Sequence, residues 1–186
     1  MKSYDYANRK GVEIISWERF GQMARSLAEQ LAPERIEVVI GIARAGLFPA
    51  TAVAAMLRRE MYPVSITRRV EDKVVFERPV WRVDVPALVR GRRVAVIDEM
   101  ADSGETLALV AARALERDAA KVVRVALVSH TWASPTPHIT ALVSDALVVF
   151  PWDREVYADG RWQMHPELAD ALRAQGLDAS GLDNES

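Results

Sequence analysis

Two carboxylates, Asp98 and Glu99, are followed by Ala101, Asp102, Ser103, Gly104, Glu105 and Thr106 in the stretch VAVIDEMADSGETL, residues 94–107. Each residue type has a chemical use. Paired carboxylates at a strand end can hold ribose hydroxyls or a hard cation. A Ser-Gly turn lets backbone N–H groups converge on an anion, and Gly104 carries no side chain to block a phosphate. A helix that starts there points its positive dipole end at the same place. Ser103 and Thr106 add hydroxyls. One such loop can cradle a sugar 5-phosphate and hold the adjoining diol. The plainer reading is a strand, a turn and a helix with solvated acids.

The elements that position these groups follow from the apolar pattern. Residues 94–97 form a short, mostly β-branched apolar run, which predicts a parallel strand covered on both faces. A helix is expected over 105–117. Upstream, the strand 36–40 runs into Gly41-Ile-Ala-Arg44-Ala-Gly46, and a helix follows over 47–59 with Pro49 in its first turn. This second loop also offers backbone N–H groups, and Arg44 adds a charged fork. Strands are further expected at 12–15, 62–67, 121–128 and 139–150. Ser16 fits an N-cap. Behind it, Trp17, Phe20, Met23, Ala24, Leu27 and Leu31 recur at helical spacing up to Pro33, as a core stripe. A last short helix is expected over 165–175. In open α/β sheets ligands sit beyond the carboxyl ends of the strands, where both loops fall.

Composition narrows the class. The 186 residues carry a net charge of −2, which disfavours a nucleic-acid binder that relies on bulk charge. Half the residues are hydrophobic, enough for a compact core. Without cysteine there is no disulfide, thiolate metal site or cysteine nucleophile, and a reducing cytoplasm is the expected compartment. No apolar run approaches membrane-spanning length, so no membrane association is expected.

The string of four apolar residues, two acids, two small or apolar residues and Asp-Ser-Gly-Glu-Thr resembles the phosphoribosyl-pyrophosphate (PRPP) motif of type I phosphoribosyltransferases. Phe150-Pro-Trp152-Asp153 resembles the purine salvage branch of that family, which includes xanthine-guanine and hypoxanthine enzymes. The resemblance spans about residues 36–155. It implies a three-layer, Rossmann-like α/β sandwich with a mainly parallel sheet. It places a single domain at 1–177, with a core at about 33–130 and a small hood from the N-terminal residues and about 145–165. Residues 178–186 read as a flexible tail.

The same resemblance implies the roles. Asp98 and Glu99 hold the ribose hydroxyls, directly or through Mg²⁺, with Asp153 as a further candidate for the metal. Residues Ala101, Asp102, Ser103, Gly104, Glu105 and Thr106 bind the 5-phosphate. Ala43 and Arg44 meet pyrophosphate, with a non-proline cis peptide expected between them. Residues 68–82 form a mobile flap that brings Arg68 and Arg69 to the pyrophosphate; alternation there also fits a solvated hairpin. His130, Leu147, Val148 and Trp152 face the base. Two positions depart from the branch: no Lys stands near His130, and Leu147 replaces the stacking aromatic. Asp102 is the implied general base, or else a turn residue that caps the helix. A free aspartate, with a pKa of about 3.9, needs burial to serve as a base at neutral pH.

The implied reaction is Mg²⁺-dependent transfer of the phosphoribosyl group from PRPP to xanthine, guanine or hypoxanthine. A regulator of the same fold that senses PRPP or a nucleotide, and a transferase with a non-purine acceptor, are the alternatives. The partners implied are PRPP and a free nucleobase, with no nucleic acid and no membrane. A homo-oligomer, dimer or tetramer, is also expected, with Trp81 and Trp162 as exposed candidates for its interface.

Overall fold

The computed structural model describes residues 9, 11–67, 69–70, 73–74 and 79–176. In chain order the elements are β1 (Val12–Ile14), α1 (Trp17–Leu31), β2 (Val38–Ile42), α2 (Leu47–Leu57), β3 (Glu60–Thr67), β4 (Arg69–Val70), β5 (Lys73–Val74) and β6 (Val80–Val83). Then come β7 (Arg93–Ala101), α3 (Glu105–Glu116), β8 (Lys121–Ser129), β9 (Ile139–Val143), β10 (Leu147–Val149), β11 (Glu155–Ala158), β12 (Arg161–Met164) and α4 (Pro166–Ala174). Ser16 does cap α1, since its Oγ accepts the Arg19 N–H at 3.1 Å. Pro33 sits in the short 3₁₀ turn Ala32–Glu34 that follows the helix. The chain divides into two compact units, Gly21–Val143 and the pair of segments Met1–Phe20 and Ser144–Ser186.

The larger unit holds a six-stranded sheet in the order β6-β3-β2-β7-β8-β9. All neighbours are parallel except β6, which runs antiparallel to β3. The chain leaves β2 through α2 to β3 on one side and leaves β7 through α3 to β8 on the other. Right-handed crossovers in opposite directions place α2 and α3 on opposite faces of the sheet. The direction reverses between β2 and β7, so the switch point lies there. The central strands are apolar and β-branched because both faces are covered; every residue of β2 is buried. Val38, Ile40, Val64, Val94, Val96, Leu107, Val110 and Ala126 belong to the resulting core.

Asp84 ties the segment before β7 to α3. Its carboxylate accepts from Arg113 Nε at 3.0 Å and Nη2 at 2.7 Å, and from Arg117 Nη2 at 2.6 Å. The Arg113 guanidinium, seconded by Arg117, holds the Asp84 carboxyl well below the usual carboxylate range. A depressed carboxyl stabilises the fold above its unfolded pKa, and that contribution fades as pH falls. Asp84→Ala is therefore expected to lower unfolding stability by about 1–2 kcal/mol at pH 7. The gap to wild type should shrink below about pH 4, as read by urea midpoints.

In the smaller unit β1 pairs in parallel with β10, and β11 with β12 forms an antiparallel hairpin. Leu147 and Val149 pack with Leu168, Ala171 and Leu172 of α4, and Val12, Ile14 and Met164 border them. Phe150 stacks on Trp152 at 5.0 Å, while Phe20 and Trp17 approach the same indole at 5.3 and 5.9 Å.

The structure corrects several expectations. The expected strand 139–150 is two strands, because Ser144 turns the chain through its Oγ, which accepts the Ala146 N–H at 3.3 Å. The strand expected over 94–97 extends to Ala101, paired with Ser129, so Asp98 and Glu99 are strand residues. Trp17, placed in the core stripe by its spacing, is 57% exposed. Trp81, expected to be exposed, is half-buried against the main core. Arg68 and residues 178–186 lie outside the described residues, and Arg69 is described only as backbone in β4. No helix of the described residues is long and apolar enough to cross a membrane.

Candidate active site

The loops after β2 and β7 flank the switch point, and the loop after β2 lies against β7 at Asp98. The peptide between Ala43 and Arg44 is cis, as expected at that bond. The Ala43 N–H donates to the Val64 carbonyl at 2.7 Å, which fastens the loop to β3. Arg44 is exposed, and α2 starts three residues later at Leu47. Gly46 lies directly against Asp98. A Cβ at Gly46 would stand 2.6 Å from Asp98 Oδ1 and 2.5 Å from the Ile42 carbonyl oxygen. Only a glycine lets the start of α2 close on the acid pair.

Asp98 is buried and Glu99 is half-buried. The Glu99 N–H donates to Asp98 Oδ1 at 3.0 Å. Burial, with the neighbouring Glu99 charge, pushes the Asp98 carboxyl well above the usual carboxylate range. A second negative group this close is stabilised by a cation. The pair therefore fits Mg²⁺, which binds through one or two carboxylates and fills its remaining positions with water and phosphate oxygens. Among the described residues no set of three or more acidic, His or Cys side chains gathers as a protein-only metal cage.

The loop from Asp102 to Gly104 opens α3. Ser103 Oγ accepts the Glu105 N–H at 3.3 Å, and Ala108 N–H reaches the Gly104 carbonyl at 3.1 Å. Gly104 has a left-handed φ of 80°. Its Cβ would stand 2.6 Å from the Pro135 carbonyl oxygen and 3.2 Å from Ser134 backbone atoms. The close neighbour that requires glycine here is thus the loop after β8, and Ser134 N–H donates to the Ser103 carbonyl at 2.9 Å. Thr106 is exposed in the first turn of α3, open to a phosphate at the helix end.

Asp102 lies between these loops with 38% of its side chain exposed. Trp132 Nε1 donates to Asp102 Oδ1 at 3.3 Å. His130 Nε2 stands 3.8 Å from the same oxygen. The His130 ring stacks on the Trp132 indole, centroids 4.4 Å apart and planes 18° apart. His130 is buried and Trp132 is 50% exposed. The structure thus brings together Ala43, Arg44, Asp98, Glu99, the 101–106 loop and His130 in the larger unit. Leu147, Val148, Trp152 and Asp153 belong to the smaller one. There Leu147 is 7% exposed and faces the core, Val148 and Trp152 are half-buried, and Asp153 is exposed. Trp132 is a functional candidate that carries no signal of its own in the sequence. Its partners lie across two strand ends, and no local spacing announces them.

A mainly parallel sheet flanked by helices, with two glycine-bearing turns and an acid pair at its switch point, is the arrangement in which open α/β proteins place their ligand sites. Residues 13–158 match the phosphoribosyl transferase domain model, and the chain belongs to that family: it is a phosphoribosyltransferase. It is 28% identical over 146 residues to a xanthine-guanine phosphoribosyltransferase of Idiomarina loihiensis, covering 77% of this chain and 88% of that one. A purine phosphoribosyltransferase of Pyrococcus horikoshii has the same fold, with a TM-score of 0.70 at 24% identity over 77% of this chain and 94% of that one. So does the xanthine-guanine-hypoxanthine phosphoribosyltransferase of Helicobacter pylori, with a TM-score of 0.65 at 16% identity over 86% and 97%.

Proposed function

We propose that the protein transfers the phosphoribosyl group of PRPP to an oxopurine, giving a nucleoside 5′-monophosphate and pyrophosphate with Mg²⁺ as cofactor. The observation that supports this reading is the close approach of Gly46 to Asp98 at the switch point, which sets a glycine-bearing turn beside an acid pair. The named purine activity of the curated relative favours a purine acceptor.

In this reading the backbone of 101–106, with Ser103 and Thr106, holds the 5-phosphate. Asp98 and Glu99 hold the ribose hydroxyls and Mg²⁺, and Ala43 and Arg44 receive the pyrophosphate. Bound there, Mg²⁺ supplies charge to the departing pyrophosphate oxygens. Asp102 accepts the proton from one ring nitrogen of the purine as another ring nitrogen bonds to the ribose C1. The C1–O bond to pyrophosphate breaks, through an oxocarbenium-like transition state. Arg68 and Arg69 serve the pyrophosphate.

The test is pyrophosphate release from PRPP with xanthine, guanine, hypoxanthine, adenine and pyrimidines in turn. Turnover is expected with at least one oxopurine. It should stop on chelation and return with added Mg²⁺. Turnover with pyrimidines alone would refute the purine assignment. PRPP binding without turnover on any base would point to a sensor.

A further inference from the structure

We infer that Trp132 is the stacking platform for the purine and, through its indole N–H, the group that fixes the Asp102 carboxylate. This rests on the purine-transfer reading above. A purine offers two flat π faces, and a site for it gains from an aromatic surface. Leu147 does not offer one, because its side chain is turned into the core with Leu168, Ala171 and Leu172. Trp132 does. One face of its indole is covered by His130 at 4.4 Å, yet the residue remains 50% exposed. The exposed area is therefore away from the face that His130 covers. His130 is the buried layer of this two-ring stack, and Trp132 is the layer that meets a ligand.

The position of the indole is as telling as its exposure. Nε1 is a donor only, and it is directed at Asp102 Oδ1 at 3.3 Å. A planar base laid on the outer face at the usual contact distance of about 3.5–4 Å has an edge beside Nε1. It is then beside the carboxylate that Nε1 holds. Stacking and proton acceptance are set by one side chain. Both Asp102 and Trp132 follow strands that end at the same edge of the sheet, β7 and β8, so the pair is carried by rigid neighbours. Trp132 is a binding residue toward the base and a positioning residue toward Asp102.

The two roles separate in Trp132→Phe and Trp132→Ala, assayed for pyrophosphate release in the full-length protein with PRPP and the preferred oxopurine. W132A is expected to raise the KM for the base roughly 5- to 150-fold, the effect of losing one base–aromatic stack. The KM for PRPP should stay within about twofold, since no part of the indole is assigned to phosphate. W132F keeps a ring and loses the donor. It should restore most of the base KM while kcat falls about tenfold, as for a lost hydrogen bond to a carboxylate. Should W132A fail to fold, Trp132→Gln, which keeps an N–H donor and loses the ring, is expected to show the raised base KM. Base KM and kcat unchanged in W132F and in the ring-less variant, beside an active wild type, would overturn the inference and leave the purine-transfer reading intact. A wild type that neither turns over nor binds any purine or its monophosphate would overturn both.

Discussion

Asp102→Ala is expected to lower kcat by about 10²–10⁴-fold, the range for loss of a positioned general base. The KM for PRPP should change little, because the 5-phosphate is assigned to backbone amides, Ser103 and Thr106. Asp102 begins the loop after β7 with 38% of its side chain exposed, and Oδ1 accepts from the Trp132 indole at 3.3 Å. The first N–H of α3, from Glu105, goes to Ser103 Oγ at 3.3 Å and not to Asp102. Removing a half-exposed carboxylate leaves the core untouched, so the melting temperature should stay near that of wild type. Asp102→Asn keeps the shape and removes the basicity, and it should be as slow as the alanine variant. An asparagine variant with near-normal kcat would show that Asp102 is a turn residue and not the base.

Gly104→Ala is the second large effect. The left-handed φ of 80° penalises any Cβ by about 1–2 kcal/mol. The added methyl also meets the Pro135 carbonyl oxygen at 2.6 Å, and that partner is backbone. Overpacking of this kind costs about 1–3 kcal/mol. Together a loss of about 2–5 kcal/mol of unfolding stability is expected, read from urea transitions. The loop after β8 must move to relieve the clash, and it carries Trp132. The base KM should therefore rise beyond what the loss of stability explains, when compared at a temperature where the variant is fully folded. Wild-type stability with wild-type kinetics in this variant would show that the two loops do not meet as described.

The site was legible in the sequence to the extent that it is local. The run from Val94 to Leu107 lies on one strand, one turn and one helix start, and spacing alone orders such a segment. Spacing marks only a short loop between an apolar strand and a helix at Ala43 and Arg44; the cis peptide there is an expectation of the family resemblance, and the structure has it. What depends on chain segments far apart was not legible. Gly104 was read as making room for phosphate, whereas the backbone at Ser134 and Pro135 fills the space beside it. Gly46 carried no mark of its contact with Asp98, more than fifty residues away. Leu147 sits on an apolar strand whose alternation leaves either face open. Only the packing of α4 against it decides that its side chain is buried. The split between β9 and β10 was hidden by apolar residues on both sides of Ser144 and Asp145. Trp17 shows the limit of periodicity: it keeps helical register with the buried stripe, yet it stands at the first position of α1, beyond the end of the core it points along.

The most direct test of phosphoribosyl transfer is product analysis of the wild-type protein with PRPP, Mg²⁺ and the preferred oxopurine. The account predicts a nucleoside 5′-monophosphate that appears one-for-one with pyrophosphate as the base is consumed. Pyrophosphate without nucleotide, or PRPP that stays bound and unconsumed with every base, would contradict it.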